Sequence, residues 1–452
     1  MIRTLKRAPF PLIAIVASFL CPVELSLTVS EFRLPPHRIA LLIFAPIATF
    51  KLLGSPETRV RSFDILMFLY AAWSMLVYHA HGEEIEGLVF GGSLALESFG
   101  GYVIARAYIR DLQDFRVALD LLVIAAIIAL CFSLPETLFG KHFTHDYLQK
   151  LTGYEHLREL ETRLGLTRAY GTFDHPIHLG TFAAATIGLI WFSGHRLHRR
   201  IVQCMFVGLT TLSALSSAPI LCALIQGALA VWDRVTRGLQ ARVLLTISAV
   251  VVGYVVISAV ANRTPIMIIA TSLTLDSWTG YYRTIIWEHG LNNVWENPWM
   301  GIGQGDWTRP WWMHSDSIDA YWLVVAARTG LPSFFMLVIA IGLQVRAMAY
   351  YVPRQRDPAA MNAMKAWLFS FLALTLIACT VHFWNVMHAY FFFFIGLSGW
   401  LADPMKARYR ERRAAKRRGR RGKRAPIRRP QTDGTGPAVP GLSPVPTAFT
   451  HG

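Results

Sequence analysis

The chain has 452 residues, of which 54% are hydrophobic and only 16% charged, with a mean hydropathy of +0.38. Apolar runs long enough to cross a bilayer recur from end to end, which excludes a soluble globular domain and predicts an all-α polytopic membrane protein. The net charge of +16 does not mark a nucleic-acid binder, because 14 Lys/Arg lie between Lys406 and Arg429 against the single Glu411, so most of the excess is one tail.

Arg3, Lys6 and Arg7 precede an apolar stretch that continues to about Leu27. It lacks an A-x-A-like site and has Leu20 before Cys21, so it reads as an uncleaved first span. Further spans are expected at 38–53, 62–80, 87–105, 117–134, 177–193, 201–216, 219–232, 243–261, 319–345, 361–380 and 386–402, about twelve in all. The seventh and eighth meet at Ser216-Ser217-Ala218-Pro219 and are expected to be short or broken.

With the N-terminus inside, the inner connections hold Arg59 and Arg61, then Arg106 and Arg110, and later Arg199 and Arg200, Arg234 and Arg237, and Arg354 and Arg356, as the positive-inside rule requires. Two large loops, about 135–176 and 262–318, then fall outside. Residues 1–403 form the membrane domain, and 404–452 a basic cytoplasmic tail. Its KARYRERRAAKRRGRRGKR run suits anionic lipid headgroups, and its Pro/Gly/Thr-rich end is expected to be disordered. Cys21, Cys131, Cys204, Cys222 and Cys379 all lie in apolar runs without CxxC spacing, so neither disulfides nor a cysteine metal site is expected.

Chemistry is expected in the outer loops. Arg158, Arg163 and Arg263 read as solvated loop cations, whereas Arg168 and Arg283 stand beside Gly and aromatic residues at a membrane boundary, where an anionic headgroup would lie. In RAYGTFDHPIHLG, Arg168 to Gly180, Pro176 suits a first helical turn that either Asp174 or His175 caps. Such a helix end attracts anions; the plain alternative is a capped turn. GYYRTIIWEHG places Arg283, Trp287 and Gly290 on one helical face. NPWMGIGQGDW lacks the Lys-Ser/Thr of a phosphate-binding loop, so Gly301, Gly303 and Gly305 read as a tight turn. His314, before the tenth span, is able to accept a hydroxyl proton, with Asp316 or Asp319 orienting it or steering a sugar; the plain alternative is an interfacial histidine. Arg309 in this loop and Arg328 within the tenth span are candidate substrate-binding cations.

Taken together, Arg168 to Phe173, Arg283 to Trp287, Pro298 to Gly303 and His314 to Pro332 resemble the O-antigen ligase and polymerase superfamily. FDHPIHLG and SIDAYWLVVAARTG look more like its exopolysaccharide-production members. The resemblance implies a glycosyltransferase needing no metal or other cofactor, at the outer face of a bacterial inner membrane. It would take glycan from a polyprenyl-pyrophosphate carrier to a glycan or lipid-glycan acceptor, with polymerisation favoured over ligation. Arg283 would bind pyrophosphate, His314 would act as base or orient the acceptor, and Arg168 would be a second cation. His175, Arg309, Asp316, Asp319 and Arg328 complete the candidate site.

Two departures stand out. Where the family often has Ser-Arg-Gly at the outer end of a middle span, this chain has Ser216-Ser217-Ala218-Pro219. Arg328 replaces an acidic residue, and either supplies the missing charge or pairs with Glu97. A transporter or flippase is the leading alternative, but the sequence has no internal repeat, and only Glu97 and Arg328 read as deep charges. A scaffold for partner enzymes gives no reason for the Arg/His loops.

Overall fold

The structure is a computed structural model describing residues 7–29, 32–56, 58–82, 84–154, 160–239, 277–313 and 317–403, with positions 248 and 252. It is mostly helical. Among the described residues, seven helices are long and apolar enough to cross a membrane by length and composition. The expected ninth span and the tail lie outside the described residues, as do His314 and Asp316.

Helix α1 covers only Phe10–Ser18, not the whole stretch to Leu27. At 1.5 Å per residue it reaches roughly half-way through a bilayer core. Pro22 lacks an N–H to continue the ladder, and the chain turns through Val23–Leu25 into an antiparallel hairpin, β1 Leu27–Val29 and β2 Phe32–Leu34, with Thr28 opposite Arg33. Next come α2 Pro36–Gly54, α3 Ser62–His81, α4 Ile85–Tyr108 and α5 Leu112–Phe139. The last runs through Pro135 to a left-handed cap at Gly140, so the first large loop starts later than expected. That loop holds α6 Phe143–Thr152 and a small hairpin, β3 Thr162–Arg163 with β4 Leu166–Thr167.

The expected sixth span is two short helices, α7 Pro176–Ala184 and α8 Ile187–Trp191. Helices α9 Leu197–Ser213 and α10 Ser217–Val235 follow, separate as the sequence predicted, with Leu215 at φ +42° between them. Beyond the undescribed stretch lie α11 Ser277–Glu296, α12 Tyr321–Gln355, α13 Pro358–Ile377, α14 Val386–Gly396 and α15 Gly399–Ala402. Helix α12 is kinked at Gly330, whose φ of +80° is open to glycine alone without strain.

Helix α14 sits at the centre. Every residue from Met387 to Gly396 is buried, as expected of a helix apolar all round. The basic connections gather at one end of the bundle. There Arg106 donates to Asp64 and Asp403, both at 3.1 Å, and Arg61 to Asp403 at 2.8 Å. Arg106, which the sequence placed in a connection, is therefore buried, and Asp64 with it. Glu97 and Arg328 are not the only deep charges. At the opposite end, the starts of α2, α7, α12 and α14 meet the two large loops.

Candidate functional site

A cavity of about 290 Å³ opens at the loop end between α2, α3, α4, α12 and the connection from α13 to α14. Arg328, on the second turn of α12, lines it. Its Nη1 donates to the carbonyl oxygens of Gly303, at 3.2 Å, and Gly305. Among the described residues no carboxylate lies at ion-pair distance from it, although exposed Asp306 is within electrostatic reach, so one wall carries a rigidly held cation.

The Gly-rich segment exists to make this arrangement, and its amides are spent on it. The amides of Ile302 and Gly303 donate to the Ala327 and Arg328 carbonyls at 2.9 Å, and that of Leu331 to Pro298 at 2.8 Å. These acceptors are freed where α12 breaks at Gly330. The tight-turn expectation thus holds, with the turn docked onto a kinked helix.

Facing Arg328 across the cavity is Glu97, which does not pair with it. Glu97 Oε1 accepts from His37 at 3.0 Å and Arg38 at 2.7 Å, both from the first turn of α2. Glu97 Oε2 is buried with no hydrogen-bond partner. The residue lies in a π-turn, Leu96–Gly100, within α4, a local widening that often marks functional positions. His388, on the first turn of α14, also lines the cavity, and its Nε2 is likewise buried and unpartnered. Tyr70, Tyr321 and Phe383 form much of the remaining wall.

The connection Val381 to Asn385 closes the cavity on one side. Its outer surface receives the segment that the sequence singled out. Asn385 donates to Asp174 at 2.8 Å, His178 meets the His382 carbonyl at 3.1 Å, and the Trp384 ring lies 3.9 Å from that of His178. Asn385 has φ +48° and ψ −125°, a costly conformation held in place by these contacts. Burial, with His388 and Arg328 nearby, lowers the pKa of His382 to about 3, so its ring stays neutral.

Beyond this wall lies a second group. Arg168 pairs with Glu161, which also lies 3.8 Å from Arg163. His175, and not Asp174, caps α7, accepting the Ile177 amide at 3.1 Å. Its pKa is lowered to about 4, first by burial and then by Arg168, with Glu161 opposing and Arg163 adding. Arg283 on α11 has its pKa lowered by burial, with Asp319 opposing and Arg163 adding, and its Nε is buried without a partner. Arg168, His175, Arg283 and Asp319 are therefore neighbours, although the two loops are over a hundred residues apart. Arg309 pairs with exposed Asp306 and donates to Met313 O at 3.1 Å, while lying, with Asp319, within electrostatic reach of Tyr282 next to Arg283.

Arg163, read from sequence as a solvated cation, donates to Leu215 O at 3.3 Å. A guanidinium thus stands at the start of α10, beside the segment that lacks Ser-Arg-Gly. The sequence reading also missed His37, Arg38, Trp384 and His388. The signals were present as His-Arg after Pro35-Pro36 and as the polar aromatic run HFWNVMH between two spans, both too short to register as loops. Among the described residues no group of three His, Cys, Asp or Glu is arranged to hold a metal ion.

The long apolar helices define a helical membrane protein with a cavity at its loop end into whose wall Arg38, Glu97, Arg328 and His388 are set. Comparison with protein-family models and with curated protein sequences finds no match.

Proposed function

We propose that the chain is a membrane glycosyltransferase of bacterial surface-polysaccharide synthesis. It would transfer or polymerise glycan from a polyprenyl-pyrophosphate carrier at the outer face of the inner membrane, with exopolysaccharide polymerisation favoured over O-antigen ligation. The supporting observation is the cavity itself, with the Arg328 cation on one wall and the buried, unpartnered Glu97 Oε2 and His388 Nε2 on another. A departing pyrophosphate needs fixed positive charge and an acceptor hydroxyl needs a base, and preorganised groups are the most effective form of both. Arg283, Arg163 and Arg168 supply a second positive surface beyond the Trp384–Asn385 wall, suited to the remaining phosphate or the carrier headgroup. His314 and Asp316 belong to the loop next to Asp319 and keep their proposed part as acceptor-side groups.

In this reading the twelve spans are the seven long helices, α1, α7 with α8, α9, α14 with α15, and the segment 243–261. Both termini are cytoplasmic, and the tail meets anionic lipid. The alternative of a transporter or flippase draws on the buried ion pairs of Glu97 with His37 and Arg38.

The test uses purified protein in lipid with a polyprenyl-pyrophosphate glycan and an acceptor glycan. Glycan transfer that persists with a chelator, and that is lost in Arg283→Ala and partly recovered in Arg283→Lys, is the expected result. Movement of the lipid-linked glycan across the bilayer without transfer would establish the alternative. Reporter fusions at Gly153 and Gly303 should show the outer side, and an inner signal at either would overturn the site.

A further inference from the structure

We propose that His388 takes the proton from the acceptor hydroxyl, with Glu97 as the nearby carboxylate that favours its protonated form. This deepens the transfer reading above and rests on it.

Four observations point to His388. It is 5% exposed and lines the cavity from the first turn of the fully buried central helix, so its ring is anchored by the most rigid part of the fold. The rings of Tyr321 and Phe392 flank it at 5.7 and 5.0 Å. Its Nε2 is buried and has no hydrogen-bond partner. A neutral imidazole with its proton on Nδ1 presents Nε2 as a lone-pair acceptor, the form a base requires. Finally, the strained residue Asn385 accepts the His388 amide at 3.0 Å, so the conformational cost at Asn385 sets where α14 begins and where this ring stands.

The surroundings suit a group that gains a proton transiently. From α2, His37 and Arg38 face it, but both bind Glu97 Oε1, so the positive charge of Arg38 is already matched. Glu97 on α4 is within electrostatic reach of His388, and its buried Oε2 has no hydrogen-bond partner. The connection contributes His382, α12 contributes Tyr321 and Arg328, and α3 contributes Tyr70, so Glu97 is the one carboxylate among the described residues lining the cavity.

In the step itself, the acceptor oxygen forms a bond to the anomeric carbon as the bond from that carbon to the pyrophosphate oxygen breaks. The bonding pair leaves with the pyrophosphate, whose charge develops beside Arg328. The hydroxyl proton passes to Nε2 of His388, where the field of Glu97 favours the imidazolium, and then to water. Atoms and charge balance without a further reactant.

The experiment compares wild type, His388→Gln, Glu97→Gln and His314→Ala as full-length protein in lipid, over a range of pH, with the donor and acceptor named above. For His388→Gln, turnover should fall by roughly 10²- to 10⁴-fold with the donor KM nearly unchanged. The wild-type rate should fall on the acid side as the imidazole protonates, and this limb should vanish in His388→Gln. In Glu97→Gln it should move to lower pH, because losing the carboxylate disfavours the imidazolium. Turnover in His388→Gln close to wild type, or an acid limb that survives there, overturns the proposal, and loss confined to His314→Ala assigns the base to His314 instead. If His388→Gln fails to accumulate in the membrane, an unshifted limb in Glu97→Gln overturns it. Wild type that transfers nothing overturns the transfer reading together with this proposal, whereas transfer that survives in His388→Gln overturns this proposal alone.

Discussion

Arg328 and Gly303 hold each other: the Arg328 guanidinium donates to the Gly303 carbonyl at 3.2 Å, and the Gly303 amide donates to the Arg328 carbonyl at 2.9 Å. The cation of the cavity and the loop that orients it are therefore one unit, built on the break in α12 at Gly330.

Changing that break should dismantle the unit. A Cβ on Gly330 would overlap the Trp299 carbonyl oxygen, and φ of +80° is itself unfavourable for alanine. The backbone term alone is about 1–3 kcal/mol. Gly330→Ala is expected to lower the unfolding temperature in detergent and to abolish transfer. Normal stability and activity would mean that the loop does not depend on the kink.

The charge at Arg328 can be tested apart from the fold. Arg328→Ala should reduce turnover by roughly 10²- to 10³-fold while protein abundance is kept, the scale seen when one preorganised charge-stabilising donor is removed. Arg328→Lys should recover only part, because an ammonium cannot bond two carbonyls and present a planar fork to the ligand. Equal activity of Arg328→Ala and wild type would remove this residue from the site.

The His175 cap predicts a pH dependence with a definite sign. Its folded pKa of about 4 lies below the ordinary histidine value, so between about pH 6.5 and 4 the unfolded chain binds a proton that the folded chain does not. Stability from this residue is complete above about pH 6.5 and is lost as pH falls toward 4, with a slope of at most about 1.4 kcal/mol per pH unit. His382, held to about 3, acts in the same direction. His175→Asn keeps a capping oxygen without the titration, so melting curves at pH 7 and 5 should differ less for it than for wild type. An equal difference would assign the pH response elsewhere.

At the opposite end, Arg106 is the hub of the buried charges. It bonds Asp64, Asp403 and the Arg59 carbonyl, each at 3.1 Å. Arg106→Ala leaves two carboxylates short of their cation and should cost about 3–5 kcal/mol. The measurement is thermal unfolding in detergent. A change below about 1 kcal/mol would show that Arg61, alone with water, balances both acids.

Much of this molecule was legible along the chain because bilayer-length apolar runs and basic connections are local properties. They mark α2 to α5, α10, α12 and α13 without reference to anything distant in sequence. Capping at Pro176 and the turn at Gly301 to Gly305 were equally local, since a proline or a glycine declares its backbone preference by itself. The hydropathy window failed at α1 and at α7 with α8, where prolines and tertiary contacts cut apolar stretches that a window scores as whole.

Only the tertiary structure decided which polar residues meet. Arg163 was indistinguishable from a solvated loop cation until the hairpin brought it to Leu215, and Arg328 offered a choice that ended when His37 and Arg38 took Glu97 Oε1. His388 closed the short polar run HFWNVMH, which by itself did not say what it would meet. Its position depends on packing α14 at the centre of the bundle, on the strained turn at Asn385, and on the π-turn that turns Glu97 toward the same cavity. Ion pairing and desolvation depend on distances between segments far apart in sequence, and a linear pattern carries no record of those distances.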